Sequence, residues 1–266
     1  MPLKTPTIVI FDMDGTVVRH LSPWVLHVLE RLDDAWYTAA RLFRWFGRRR
    51  AQDPILPPPE EMPPRRKPRL LVHRAIHKVR RKEVDQIVEP CPGIYDVLEL
   101  LKSEGIPVAL ISNGLGQGYG EDIVQKFGLD QYFSATVFRE DIRKSKPDPE
   151  ALLAALSHLQ ITPGQDDAIW YIGDRHKDIT AALALESHIP AQIVPVAYGV
   201  NAAVEAVKKG IGPEHIIMSY YDMHARLEKL MNAAGRDKQN TRELDSPANS
   251  SALAPRPSTP AAKARK

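Results

Sequence analysis

Two carboxylates two residues apart, in Asp12-Met13-Asp14-Gly15-Thr16, end a short apolar run and precede a glycine turn. At the end of a buried strand such a pair projects into the crevice along the carboxyl edge of an open α/β sheet, where ligands bind. Phosphoryl transfer through a covalent intermediate needs a carboxylate nucleophile and a cation that offsets the charge on the phosphate. It also needs an acid that protonates the leaving oxygen and later activates water. Asp12 and Asp14 supply the nucleophile and the acid. Ser112-Asn113-Gly114 adds a short hydroxyl and loop N–H groups that can donate to a phosphoryl oxygen. Lys146-Pro147-Asp148-Pro149 sets a cation ahead of a helix start, where it can neutralise both nucleophile and transferred group. Gly173-Asp174-Arg175-His176-Lys177-Asp178 brings two more carboxylates. A hard Mg²⁺ ion takes oxygen ligands, usually one or two carboxylates with water and phosphate, and Asp12 with Asp174 meets that need.

Positioning these clusters requires strands that end where they begin. Apolar runs at 6–11, 106–111, 134–138, 168–172 and 191–197 have the length and composition of strands buried on both faces. Between them lie predicted helices at 93–104, 119–127 and 149–159. The first turns Val97, Leu98, Leu100 and Leu101 inward and stops at Gly105. A last strand near 214–219 and a helix at 221–233 complete the alternation. Strand–helix alternation of this kind predicts an α/β fold, a Rossmann-like parallel sheet with helices on both faces.

Two stretches stand outside it. Residues 20–90 open with Ser22-Pro23, an N-cap followed by proline, then carry an apolar stripe from Val25 to Phe46 at helical spacing. A proline-rich break at 54–68 and a basic helix at about 69–86 follow. Residues 41–82 hold 14 Lys/Arg against 3 Asp/Glu, a charge of +11, whereas the rest of the chain sums to −8. Residues 235–266, rich in Ser, Pro, Ala, Lys and Arg, are read as a disordered tail. The domain reading is a core at 1–19 and 91–234, an insert at 20–90 and a tail at 235–266. With 43% hydrophobic residues and a single cysteine, Cys91, a cytoplasmic protein without intrachain disulfides is expected. No secretory signal and no membrane span is read.

In their order, each after an apolar run, the four clusters resemble the four signature motifs of the haloacid dehalogenase superfamily, over roughly 1–19 and 91–230. The resemblance is to the phosphatase type with a helical cap between the first two motifs, similar to phosphoglycolate phosphatase. It implies that Asp12 is the nucleophile and Asp14 the general acid/base, with the Asp14 backbone carbonyl on the metal. Ser112 then binds phosphate, with Asn113 and Thr16 at the substrate, and Lys146 is the third-motif lysine. Asp174 is the implied metal ligand, with Asp178 a water-mediated or outer partner of the Mg²⁺. Asp14 argues against dehalogenation, because a halide leaving group needs no acid. Plainer roles stay open for several residues. Ser112 and Asn113 can cap a turn, and Asp178 can be the N-cap of a helix beginning at Ile179. Arg143 and Lys144 can share the duty of Lys146. Gly114, Gly116, Gly118 and Gly120 fit a phosphate cradle or a flexible turn.

The expected activity is Mg²⁺-dependent hydrolysis of a small phosphorylated metabolite through an aspartyl-phosphate. A phosphomutase using the same site and a non-catalytic membrane- or anion-binding protein are the alternatives. For the basic cap three readings compete: a solvated exterior, a funnel of Arg65, Arg66 and Lys67 for anionic substrates, and attachment to anionic lipid through Trp24, Trp36, Trp45 and the flanking arginines. No nucleic-acid partner is expected. His73 and His77 are read as surface residues rather than zinc ligands.

Overall fold

The computed structural model describes residues 3–21 and 84–244. The run Ile-Val-Ile-Phe-Asp forms strand β1 (Ile8–Asp12), buried along its whole length. Side chains alternate across a strand, so Val9 and Phe11 enter the core on one face of the sheet, and Ile8 and Ile10 the core on the other. Two buried faces explain why the run carries no polar residue until its last. Just beyond it β2 (Val18–His20) pairs antiparallel with β3 (Val88–Pro90), Val18 opposite Pro90 and His20 opposite Val88. This ribbon was not expected from the sequence. Through it the segment 22–83 leaves and rejoins the core.

The main sheet continues with β4 (Val108–Ile111), β5 (Ala135–Val137), β6 (Ala168–Gly173), β7 (Gln192–Tyr198) and β8 (Ile216–Ile217). Its order is β5-β4-β1-β6-β7-β8 and every pairing is parallel. Asp12 pairs with Ile111, and Phe11 with Ile172, so β4, β1 and β6 end side by side. The chain steps outward from β1 to β4 and β5, then crosses back to β6 on the other flank. That reversal opens the ligand crevice at the carboxyl ends around β1.

Among the described residues six helices cover the sheet: α1 (Ile94–Ser103), α2 (Glu121–Lys126), α3 (Glu150–His158), α4 (His176–Leu185), α5 (Gly199–Lys208) and α6 (Tyr220–Leu244). Leu98 and Leu101 of α1, Ile123 of α2 and Met223 and Leu227 of α6 pack with Val9 and Phe11. Leu152 and Leu156 of α3 and Leu185 of α4 pack with Ile8 and Ile10. Each fully buried side chain of this size contributes roughly 1.5–3 kcal/mol. In α1, Leu100 sits half-buried at the flank of this core and Ile94 takes a fully buried place. Gly105 ends the helix with φ of +66°.

Three boundaries differ from the sequence reading. Helix α2 starts at Glu121 rather than 119, because Gly116–Gly120 form a wide turn ahead of it. Residues Val84–Gln86, expected to end a long helix, form a 3-10 turn. Helix α6 runs on to Leu244, into the stretch assigned to the tail. Its Arg, Lys, Gln and Glu residues are good helix formers even where no apolar face remains. The apolar stripe from Val25 to Phe46, the proline-rich break, the three tryptophans, His73 and His77, and the tail beyond 244 lie outside the described residues. Among the described residues no helix is long and apolar enough to cross a membrane.

Candidate active site

Asp12 ends β1 at the carboxyl edge of the sheet, and its side chain is only 7% exposed. The Lys146 ammonium, equally buried, donates to Asp12 Oδ1. It also stands 2.8 Å from Asp178 Oδ1 and 3.2 Å from the Tyr171 hydroxyl. Tyr171 in turn donates to Asp178 Oδ1 at 2.7 Å, and the Arg175 backbone N–H donates to Asp178 Oδ2 at 3.0 Å. Burial opposes the charge on Lys146, but the carboxylates of Asp12 and Asp178 outweigh it and hold the ammonium protonated. Burial pushes the Asp12 carboxyl up; Lys146 pulls the other way, and the charges of Asp178, Asp174 and Asp14 add to the rise. One cation thus faces more negative charge than it can neutralise.

Asp14 is held by other groups. Ser112 Oγ donates to its Oδ2 at 3.0 Å, and the Tyr119 hydroxyl donates to its Oδ1 at 2.6 Å. His20 Nε2 lies 3.5 Å from the same Oδ1 and 3.0 Å from the Tyr119 oxygen. Burial raises the Asp14 carboxyl, yet the hydrogen bonds of His20 and Tyr119, the His20 charge and Ser112 together hold it below its ordinary value.

A metal ion fits beside Asp12. Carboxylate oxygens of Asp12, Asp174 and Asp178 lie within 4.8 Å of one another. Asp174 Oδ1 is buried and accepts no hydrogen bond. Burial pushes the Asp174 carboxyl up to about 6, Arg175 and Lys146 opposing while Asp178 and Asp14 add to it. A buried carboxylate oxygen with no hydrogen bond, 3.8 Å from the Arg175 guanidinium and among several acids, is a donor that a hard divalent cation takes. The Asp14 carboxylate is not in that cluster; its side chain belongs to Ser112, Tyr119 and His20.

Other expected residues find definite places. Asn113 Oδ1 accepts from the Lys146 backbone N–H at 3.2 Å, tying the two loops together. Lys146 is the buried cation of its cluster. Arg143 and Lys144 are exposed, and the Lys144 ammonium pairs with Asp148 at 3.2 Å. Asp178 is the third residue of α4 rather than an N-cap, and it reaches back to the Arg175 N–H while holding Lys146. With both oxygens engaged, it fits an outer role at a metal. Thr16, expected at the substrate, is fully buried, and its hydroxyl finds no hydrogen-bond partner among the described residues. Its carbonyl accepts from the Tyr220 hydroxyl at 3.0 Å, which anchors the loop to α6. The glycine run is also no open cradle. The Gly116 and Gln117 N–H groups bond the Glu140 carboxylate at 2.9 and 3.2 Å. A Cβ at Gly116 or Gly120 would meet the Phe138 ring at 2.6 or 2.3 Å, and that close approach requires the glycines.

Three residues of the site were not singled out from the sequence: His20, Tyr119 and Tyr171. The one signal available was a tyrosine hydroxyl inside the otherwise apolar run of β6, which needs a buried partner.

Gly15 carries a prediction. Its φ is +86°, and a Cβ there would lie 2.2 Å from Asp174 Oδ2. Gly15→Ala is therefore expected to cost about 1–2 kcal/mol from the left-handed backbone alone, and to displace Asp174 as well. Titration with Mg²⁺ should show weaker binding than wild type. Unchanged metal affinity would show that the loop does not brace Asp174.

Residues 9–189 match the haloacid dehalogenase-like hydrolase family. A phosphoglycolate phosphatase from Nitrosococcus oceani is 27% identical over 214 residues, covering 76% of this chain and 89% of the relative. The pyrophosphatase PpaX of Halalkalibacterium halodurans is 23% identical over 217 residues, 81% of this chain and 94% of its own. A solved HAD-superfamily hydrolase from Ehrlichia chaffeensis superimposes with a TM-score of 0.52 at 20% identity, over 86% of this chain and 99% of that one. A Thermotoga maritima protein provisionally assigned as a β-phosphoglucomutase gives 0.54 at 20% identity, over 86% and 100%. The structural likenesses bear on the fold.

Proposed function

The chain belongs to the haloacid dehalogenase-like hydrolase family, and on that footing we propose that it is a Mg²⁺-dependent phosphatase acting on a small phosphate monoester through an aspartyl-phosphate on Asp12. The observation that carries the reading is Asp12 itself: a buried carboxylate at the carboxyl end of β1, fixed by Lys146 and crowded by three other acids. Such a group gains from delivering its charge to an electrophilic phosphorus.

In the first half-reaction an Asp12 oxygen bonds to phosphorus as the bond to the leaving oxygen breaks. Asp14 gives that oxygen its proton. In the second, Asp14 as carboxylate takes a proton from water, whose oxygen bonds to phosphorus and releases Asp12 with inorganic phosphate. The hydrogen bonds that hold Asp14 ionised in the free site suit the second role. The negative charge of a bound phosphate raises its proton affinity for the first. Ser112 donates to a phosphoryl oxygen, and Lys146 fixes the rotamer of Asp12 while balancing charge. Asp12, Asp174 and the Asp14 carbonyl, with Asp178 behind them, would hold Mg²⁺, which would supply positive charge to offset a phosphate beside these acids.

We assign to the 22–83 segment the role of a cap that selects the substrate and limits water. What supports it is the ribbon β2–β3: both ends of the segment pass through it, and its His20 touches Asp14. Small phosphorylated metabolites, among them the phosphoglycolate named for a relative, are the compounds to screen.

Phosphate release from an aryl phosphate is expected to stop when the metal is chelated and to return with Mg²⁺. Turnover that ignores chelation would remove the metal from the account. Free inorganic phosphate as product marks a phosphatase, and return of the phosphoryl group to a second substrate hydroxyl marks a mutase.

A further inference from the structure

Lys146 grips Asp12 and Asp178, so Asp14 must be oriented by something else. Its two oxygens are treated differently. Oδ2 accepts from Ser112, the hydroxyl assigned to the phosphoryl group. Oδ1 accepts a 2.6 Å hydrogen bond from Tyr119, whose oxygen lies 3.0 Å from His20 Nε2. The Tyr119 and His20 rings run nearly parallel, 12° apart with centroids 6.3 Å from one another. Tyr119 is 4% exposed and sits on the turn after β4, pressed inward where Gly116 and Gly120 meet Phe138. His20 ends β2, at the root of the 22–83 segment. Two segments distant in sequence therefore close on one carboxylate oxygen.

We propose that Tyr119 and His20 are a positioning pair that sets the rotamer of Asp14 for proton donation and couples it to the root of the insert, a step that rests on the acid/base role given to Asp14 above. When a phosphoryl oxygen takes the Ser112 hydroxyl, Oδ2 is released toward the leaving oxygen while Oδ1 stays on Tyr119. The pair then matters in proportion to how much the leaving group needs a proton. It matters little for a dinitrophenolate, which departs unaided, and much for a basic phenolate or alkoxide.

The test compares kcat/KM, which reports events up to the first phosphoryl transfer, for dinitrophenyl phosphate and phenyl phosphate with Mg²⁺ present. In Tyr119→Phe the ratio of the two values is expected to shift toward the dinitrophenyl ester by about tenfold or more, a share of the 10²–10⁴ that a positioned acid supplies. His20→Asn should shift it in the same direction. The double variant should shift it no further than the larger single, because both groups act on one oxygen. Circular dichroism and melting temperature establish that each variant is folded. A purely structural role would lower both esters equally and leave the ratio unmoved. Asp14→Asn is the control. If it shifts the ratio and the Tyr119 and His20 variants do not, the positioning pair is refuted while the acid role stands. If Asp14→Asn leaves the ratio alone, or wild type turns over neither ester, the underlying reading fails and takes this one with it.

Discussion

Asp12→Asn is expected to lower Mg²⁺-dependent phosphate release by on the order of 10³-fold or more, the scale on which a nucleophile acting within a catalytic group is lost. The amide keeps the shape of the carboxylate and can still accept from Lys146, so the fold has no steric reason to change. Electrostatics points the same way. Burial and the charges of Asp178, Asp174 and Asp14 make the ionised form of Asp12 costly, with Lys146 opposing them. Removing that charge should leave the melting temperature of the metal-free protein where it was or raise it. Activity lost with stability kept is the signature of a residue retained for chemistry. Loss of both would mean that Asp12 mainly holds Lys146 in place.

Lys146→Met should do the opposite to stability. The ammonium is buried, and it touches Asp12, Asp178 and the Tyr171 hydroxyl. Methionine fills similar space and leaves the Asp12 and Asp178 carboxylates without the cation between them. Removing one partner of a buried ion pair costs about 3–5 kcal/mol, which denaturant titration of the metal-free protein would read as a lower midpoint. Turnover should fall by about 10²–10³, the usual loss for a group that stabilises developing charge. Because Mg²⁺ brings positive charge to the same acids, it should restore part of the lost stability and little of the turnover. A Lys146→Met protein as stable as wild type without metal would contradict the charge balance drawn here.

Much of this arrangement is legible in the residues themselves. A strand buried on both faces must be apolar, so the runs ending at Asp12, Ile111 and Gly173 announce the sheet, and the polar residues after them announce its ligand edge. Lys146 is the harder case, because Arg143 and Lys144 lie beside it. Only folding shows that Lys146 turns inward while Lys144 pairs with Asp148 in solvent. Thr16 is a related case: nothing in Asp-Gly-Thr says that the residue is fully buried, with its hydroxyl lacking a hydrogen-bond partner among the described residues. His20 and Tyr119 were invisible because their meeting depends on two tertiary facts. One is the pairing of β2 with β3 across 67 intervening residues, Arg19 standing opposite Glu89. The other is the packing of Gly116 and Gly120 on Phe138. Helix α6 outran its expected end because the apolar pattern marks where a helix is buried, whereas its length also follows from the propensity of exposed residues.

The proposed chemistry turns on a phosphoryl group carried by Asp12. Mixing the Asp14→Asn protein with dinitrophenyl phosphate and Mg²⁺, quenching in acid and mapping the peptides by mass spectrometry tests it most directly. That leaving group needs no acid to depart, and the missing base slows hydrolysis of what forms. Phosphorylation of the peptide that carries Asp12 is expected, reversed by hydroxylamine as an acyl phosphate should be. A phosphorylated residue elsewhere, or full turnover by Asp12→Asn with no phosphoryl-enzyme in either protein, would contradict it.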